Sequence, residues 1–182
     1  VYNSDGSYYK DLSVSQYYNP LSMINDDRIK NTNHRFLLNG KGTLKIVKGL
    51  NWTFDYTYSN KQNLYDAYSS TNSQTDLRNG SASRASAQGH KQIFETYGNF
   101  NKIFNKVHAL DIMAGYSWEE EHSGDSFGLT VYNFYNDEVG YHNLSYANSM
   151  DGIDGISSGA ESILRMISFY GRVNYSYNSK YN

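Results

Sequence analysis

The feature that most constrains this chain is an alternation of period two. In LNWTFDYTYSN, residues 50–60, Leu50, Trp52, Phe54, Tyr56 and Tyr58 point one way along an extended strand. Asn51, Thr53, Asp55, Thr57 and Ser59 point the other. A strand turns successive side chains to opposite faces, so the stretch has one apolar face and one polar face. A soluble protein would cover the apolar face with a core. A membrane barrel would cover it with lipid and turn the polar face to a wet interior.

Four further stretches share the period. At 34–47, Phe36, Leu38, Leu44 and Ile46, with Gly40 and Gly42, oppose Arg35, Asn39, Lys41, Thr43 and Lys45. At 90–104, Phe94, Gly98, Phe100 and Phe104 oppose Glu95, Asn99 and Asn101. At 107–121, Leu110, Ile112, Ala114, Tyr116 and Trp118 oppose Asp111, Ser117 and Glu119. At 162–178, Ile167, Phe169, Gly171, Val173, Tyr175 and Tyr177 oppose Ser168, Arg172, Asn174, Ser176 and Asn178. The opening stretch, 50–60, extends to about residue 66. Each is longer than the ~9–11 tilted residues that cross a bilayer and far longer than the ~5–6 of an average globular strand.

The connections alternate between short and long. Lys48-Gly49 and Asn105-Lys106 read as tight hairpins, and a third turn begins at Asn178-Ser179-Lys180. The stretches 1–33, 67–89 and 122–161 read as long connections. Long structureless loops are unusual inside a compact domain, whereas outer-membrane barrels pair short periplasmic turns with long extracellular loops. Tyr56, Tyr58, Tyr116, Trp118, Tyr175 and Tyr177 cluster near strand ends, where an interfacial aromatic girdle sits.

Composition narrows the function classes. Aromatic residues are 16% of the 182, with 19 Tyr, while hydrophobic residues reach only 38% and there is one Pro. That profile suits strands and polar loops rather than a helical bundle. A formal net charge of −2 offers no basic field for nucleic acid. With no Cys, there is no disulfide, thiol nucleophile or Cys-ligated zinc. No run of ~18 apolar residues exists for a membrane helix. The chain begins VYNSDG and ends YSYNSKYN, and is read as a piece of something longer. Five strands cannot close a membrane barrel, which needs at least ~8, and open edges in lipid are prohibitive.

Three stretches resemble SusC/RagA-type TonB-dependent outer-membrane transporters. YYNPLSMINDD (17–27) resembles the segment before a barrel strand. FLLNGKGTLKIVKGLNWTFDYTYSN (36–60) resembles a strand, K-G-L turn, strand hairpin. SFYGRVNYSYNSKY (168–181) resembles the most specific signature, with Phe169-Tyr170 in place of the usual order, and HALDIMAGYSWEEE (108–121) fits a family strand. The resemblance implies that residues 1–182 are part of the β-barrel domain of a TonB-dependent receptor, an all-β antiparallel wall of about 22 strands around a plug. It further implies a Gram-negative outer membrane, a TonB box N-terminal to this chain, a SusD-like surface lipoprotein as lid, and oligosaccharide or peptide cargo.

Chemistry is sparse. Glu120 and His122 of EEEH (119–122) share a strand face but read as a solvated strand end rather than a metal pair. DGIDG (151–155) lacks the acid spacing and distal Glu of a calcium loop. The five His show no metalloprotease spacing, and no nucleophile-elbow or phosphate-loop motif occurs. No cofactor, metal or enzyme activity is expected. Arg35, Lys41, Lys45, Asp55, Glu95, Asp111 and Arg172 are read as lining the interior, paired across strands or solvated. Tyr132, Phe134, Tyr135 and Tyr141 are the candidate cargo contacts, by stacking on sugar rings, with packing of loop on loop or on the lipoprotein as the alternative. The competing functional reading is a soluble carbohydrate-binding β-domain.

Overall fold

A computed structural model describes residues 2–11, 18–148 and 153–178. Its elements are a helix α1 (Pro20–Asp26), then β1 (Asp27–Val47), β2 (Leu50–Ser69), β3 (Ser81–Phe104), β4 (His108–Tyr132), β5 (Ile153–Gly159) and β6 (Ser162–Tyr177). The strands form a six-stranded sheet in the order β1-β2-β3-β4-β5, with β6 also on β4. No helix among the described residues is long and apolar enough to cross a membrane.

The expected strands are present, and several are longer than expected. β1 starts at Asp27 rather than 34, β3 at Ser81 rather than 90, and β4 runs on to Tyr132 rather than 121. The stretch 122–161 is therefore not one long loop. It holds the end of β4, two 3-10 turns at Gly140–His142 and Leu144–Tyr146, and the returning strand β5. The extension of β3 and the strand β5 are rich in Ser, Ala and Gly, and that of β1, DRIKNTN, is polar on both faces, so neither kind carries an aromatic stripe to mark it. The segment 17–27 includes a helical turn: Pro20 opens it and Asn19 accepts a 3.0 Å hydrogen bond from Leu21 N.

β5 and β6 share one neighbour. Ser123 to His108 of β4 pair in unbroken antiparallel register with Ser162 to Tyr177 of β6. Ser126 to Val131 pair with Gly159 to Ile153 of β5, with a register shift between Thr130 and Val131. The expected fifth strand is thus β6, and β5 is an addition on the same β4.

Both tight hairpins are present. Gly49 has φ +91, and a Cβ there would run into the Asn101 carbonyl; Asn101 N in turn donates to Gly49 O at 2.7 Å. Asn105 and Lys106 both have positive φ, 48 and 63, as a two-residue hairpin turn of the favoured twist requires. The turn expected from Asn178 to Lys180 lies mostly outside the described residues, as does Asp151-Gly152 of DGIDG.

The chain divides into two compact units. Unit 1 comprises 1–34, 62–88 and 124–160; unit 2 comprises 35–61, 89–123 and 161–182. Unit 1 holds a hydrophobic core of Tyr68, Ala82, Val131, Phe134 and Ala147, with Leu129, Tyr141 and Leu144 packed against it. Unit 2 is sheet and hairpin turns.

Candidate functional site

Unit 2 buries polar groups and exposes apolar ones. On β2, Thr53 is 5% exposed while its neighbour Phe54 is 41% exposed. Ser59 is also buried, whereas Trp52 and Tyr56 are exposed. Phe36, Leu38, Leu44 and Ile46 on β1 and Ile167, Phe169, Val173, Tyr175 and Tyr177 on β6 are exposed as well, Phe169 at 80%. Water penalises a contiguous surface of this kind at roughly 25 cal/mol per Å². The face is nonetheless ordered. The Trp52 ring lies on Gly98, where a Cβ would come within 2.8 Å of it, and its Nε1 donates to Thr96 Oγ1 at 2.7 Å. Tyr116 and Phe169 meet across β4 and β6 with ring centroids 5.3 Å apart.

The opposite face is a ladder of polar pairs. Asn39 Nδ2 donates to Asp55 Oδ1 at 2.6 Å and to Thr57 Oγ1 at 2.8 Å. Thr43 and Thr53 hydroxyls are 3.0 Å apart, and Lys41 Nζ lies 3.6 Å from Asp55 Oδ2. Across the sheet, Asp111 takes Arg172 at 3.5 Å and accepts from Asn101 Nδ2 at 3.3 Å. Lys91 bridges Glu119 and Glu121 at 2.5 and 3.3 Å. Cross-strand pairs of opposite charge are the unit by which one sheet face is stabilised. Of the expected lining residues, Lys41, Asp55, Asp111 and Arg172 are paired across strands. Arg35, Lys45 and Glu95 form no ion pair among the described residues.

Glu120 and His122 do share a face, with Nε2 3.0 Å from Oε1. The other His122 nitrogen faces Glu161 at 2.8 Å, and Arg165 Nε donates to Glu120 at 2.5 Å. This is an ion-pair network, and no group of three or more metal-ligating side chains that could hold a metal ion occurs among the described residues.

In unit 1 the loop 133–148 is fastened to the loop 70–80. Phe134 N donates to Asn79 O at 2.9 Å, and Asn133 N to Gly80 O at 2.9 Å. The Asp137 carboxylate accepts from Tyr68 Oη at 2.6 Å and from Thr71 N and Oγ1, both at 2.7 Å. Burial pushes that carboxyl up, but the three hydrogen bonds outweigh it and hold it below its ordinary value. Burial first, and the Asp137 contact second, push the Tyr68 phenol upward. Asp76 is held down to about 2, chiefly by its hydrogen bonds with the Arg78 guanidinium.

The four loop aromatics have different fates. Phe134 is 2% exposed and meets Tyr68 edge-on, centroids 5.4 Å apart at 90°. A ring so enclosed has no free face for a sugar, which favours the packing of loop on loop for Phe134. Tyr141 is packed against the same core. Tyr132 is half-buried with the Arg78 guanidinium 5.6 Å over its ring. Tyr135 alone of the four is fully available, at 76% exposure. Sequence reasoning missed Tyr68 and Asp137, whose pairing depends on two loops meeting.

No family model matches the chain. Two receptors of Formosa agariphila align with its whole length. TonB-dependent receptor P26 is 27% identical over 194 residues and TonB-dependent receptor P3 is 23% identical over 192. The chain spans 18% of the length of each. Among solved structures, the RagAB peptide transporter superposes with a TM-score of 0.76 at 16% identity, over 84% of this chain and 17% of its own. The RagAB peptide importer in its "closed-closed" state gives 0.71 at 17% identity, over 84% and 16%. These relatives are receptors and transporters by name, and the solved ones have this sheet in their fold. With its long strands and inverted sheet, the chain is similar over its whole length to a piece of these TonB-dependent receptors, and its fold is that of an antiparallel length of the sheet in the solved transporters.

Proposed function

We propose that this chain forms wall and extracellular loops of an outer-membrane importer driven through TonB. The single observation that carries the reading is the inversion in unit 2, with Thr53 and Ser59 buried while Trp52, Phe54 and Phe169 are exposed. A lipid bilayer removes the penalty on the apolar face, and a wet interior accepts the polar ladder. The tight turns at Lys48-Gly49 and Asn105-Lys106 are then periplasmic, and the fastened loops of unit 1 extracellular. On this reading the segment performs no catalysis.

Cargo is an oligosaccharide or a peptide. The peptide half of that pair is favoured by the names of the solved relatives, and the sugar half by the exposed ring of Tyr135 and the accessible part of Tyr132. A SusD-like lipoprotein covering the loops, and TonB engaging a region outside this chain, complete the proposed assembly. The test uses the full-length protein. Membrane fractionation is expected to place it in the outer-membrane fraction, released only by detergent. Labelled peptide and oligosaccharide pools are expected to compete for an uptake that stops when TonB is inactivated. Recovery in the soluble fraction would overturn the reading in favour of a soluble carbohydrate-binding domain.

A further inference from the structure

The sheet of unit 1 has a second face, turned away from the core. Tyr68 of β2 and Ala82 of β3 belong to the core, and Asp66 and Arg84 share their side, joined by an Arg84 Nε hydrogen bond of 2.7 Å. Strand alternation therefore sends Asn63 and Tyr65 of β2, and Ala85 and Ala87 of β3, to the opposite side. β4 and β5 add to that side. A Cβ on Gly128 would stand 3.2 Å from Ala85 Cβ and 2.6 Å from Ser157 Oγ, and Ser126 shares the face of Gly128. Asn63, Tyr65, Ala85, Ala87, Ser126 and Ser157 together line a trough of about 130 Å³.

The lining is mixed and uncharged. No charged side chain contributes to it among the described residues. Asp66 with Arg84, and Asp125 with Gln88 at 2.6 Å, lie on the other side of the sheet. The hydroxyls of Tyr65, Ser126 and Ser157 form no hydrogen bond among the described residues. Asn63 uses one N–H on Asn33 Oδ1 at 2.8 Å and keeps its second N–H and its carbonyl oxygen. One ring and two methyl groups thus stand beside four polar groups with capacity to spare.

From this trough we propose that unit 1 holds a subsite for one ring of an uncharged sugar. The proposal deepens the cargo reading given above and rests on it for the use made of the bound sugar. Size fits the ligand: a cavity of ~150 Å³ takes up one benzene ring, so the trough admits a single six-membered ring. A pyranose has an apolar C–H face and a rim of hydroxyls. The face suits the Tyr65 ring and the two alanine methyls, and the rim suits Ser126, Ser157 and Asn63, which both donate and accept. A peptide is served poorly. It needs a free strand edge for its main chain, or counter-charges for its termini and side chains. β2, β3 and β4 are interior strands with neighbours on both sides, so the trough offers no edge. An acidic sugar is refused as well, because its carboxylate would meet no cation there.

The experiment is calorimetric titration of the full-length protein in a detergent without a sugar headgroup. The probes are neutral hexasaccharides of glucose, xylose and mannose, with hexagalacturonate and hexaalanine for comparison. At least one neutral hexasaccharide is expected to bind about tenfold or more tighter than either comparison probe. Tyr65→Ala is expected to weaken that binding about tenfold, and Tyr65→Phe, which keeps the ring, to leave it within about threefold. The double variant S126A/S157A is expected to lose about fivefold per hydroxyl removed. Ala87→Leu fills the floor from an exposed position and should weaken binding as Tyr65→Ala does. Gln88→Ala, on the other side of β3, should bind as the parent does. Binding of no neutral sugar, or tighter binding of hexagalacturonate or hexaalanine, would overturn the proposal. So would neutral-sugar binding that Tyr65→Ala and Ala87→Leu both leave intact. Failure of the cargo reading is a different result, the absence of TonB-dependent uptake of either pool whatever the trough binds.

Discussion

Tyr68, Ala82, Val131, Phe134 and Ala147 are buried together in unit 1, while the described residues of unit 2 include no buried large hydrophobic side chain. The two units draw on the same aromatic-rich composition and resolve it in opposite ways. Unit 1 folds its loops back so that Phe134 meets Tyr68, and it satisfies Asp137 with three donors. That is the economy of a protein in water, where apolar area must be hidden and buried polar groups paired. Unit 2 leaves Phe54 and Phe169 outward and pairs Asn39, Asp55, Asp111 and Arg172 on the other face. The difference teaches that burial alone does not define a core. Which face is hidden depends on the solvent each unit is built for.

The comparison breaks most visibly at Phe134. Phe134→Ala is expected to cost about 3–5 kcal/mol within unit 1, as for an enclosed aromatic ring. Limited proteolysis should then cleave within 133–148 while the strands of unit 2 stay resistant. Uniform loss of both units would show that they are not separately stabilised.

The next effect belongs to unit 2. Phe169→Arg is expected to cost about 2–4 kcal/mol in folding into lipid if the position lies near mid-membrane. In water, a ring 80% exposed could be replaced by Arg at almost no cost. Refolding into vesicles, followed by urea titration, separates the two outcomes, with Ser168→Arg on the polar face as the mild counterpart.

Tyr68→Phe removes a hydrogen bond to a carboxylate and is expected to cost about 1.5–3 kcal/mol, again seen as faster cleavage of the 133–148 loop. Acid should mimic it. Asp137 and Asp76 have folded pKa values below the ordinary 3.8. Their contribution is therefore complete above about pH 4 and is lost as pH falls through their folded values, toward about 2 for Asp76. Protease resistance of the loop at pH 6 and its loss near pH 2–3, with the sheet of unit 2 intact by circular dichroism, would sharpen the contrast. The smallest effect is expected at Lys41→Met. Its 3.6 Å pair with Asp55 is solvent-exposed on the Lys side and screened by water, so urea titration should barely separate the variant from the parent.

The readable parts of the fold were those where one face is aromatic or aliphatic and the other Asn, Thr or charged. β2 and β6 fall within a few residues of the stretches their alternation marks out, and the two hairpin turns sit at Lys48-Gly49 and Asn105-Lys106. The upper part of β3 has no contrast in polarity between neighbours, as Ser81, Ala82 and Ser83 show, whereas on β4 Phe127, Leu129 and Val131 do alternate with Ser126, Gly128 and Thr130 but follow HSGD, which reads as a break in the strand. β5 was hidden as the upper part of β3 was, with Gly155, Ser157, Ser158 and Gly159 in a short run. The cargo aromatics were legible only as a group. Nothing in NFYND distinguishes Phe134 from Tyr135, yet one is 2% exposed and the other 76%.

Sequence by itself determined the two-faced strands, the placing of the tight turns and the polarity of each face, because a strand's period of two is set by backbone geometry and needs no partner. Tertiary structure decided which aromatics are core and which are surface, and it joined Tyr68 to Asp137 across 69 residues. It also set β5 and β6 on one neighbour, β4. Those are meetings between segments distant along the chain, and local alternation carries no record of which segments will meet.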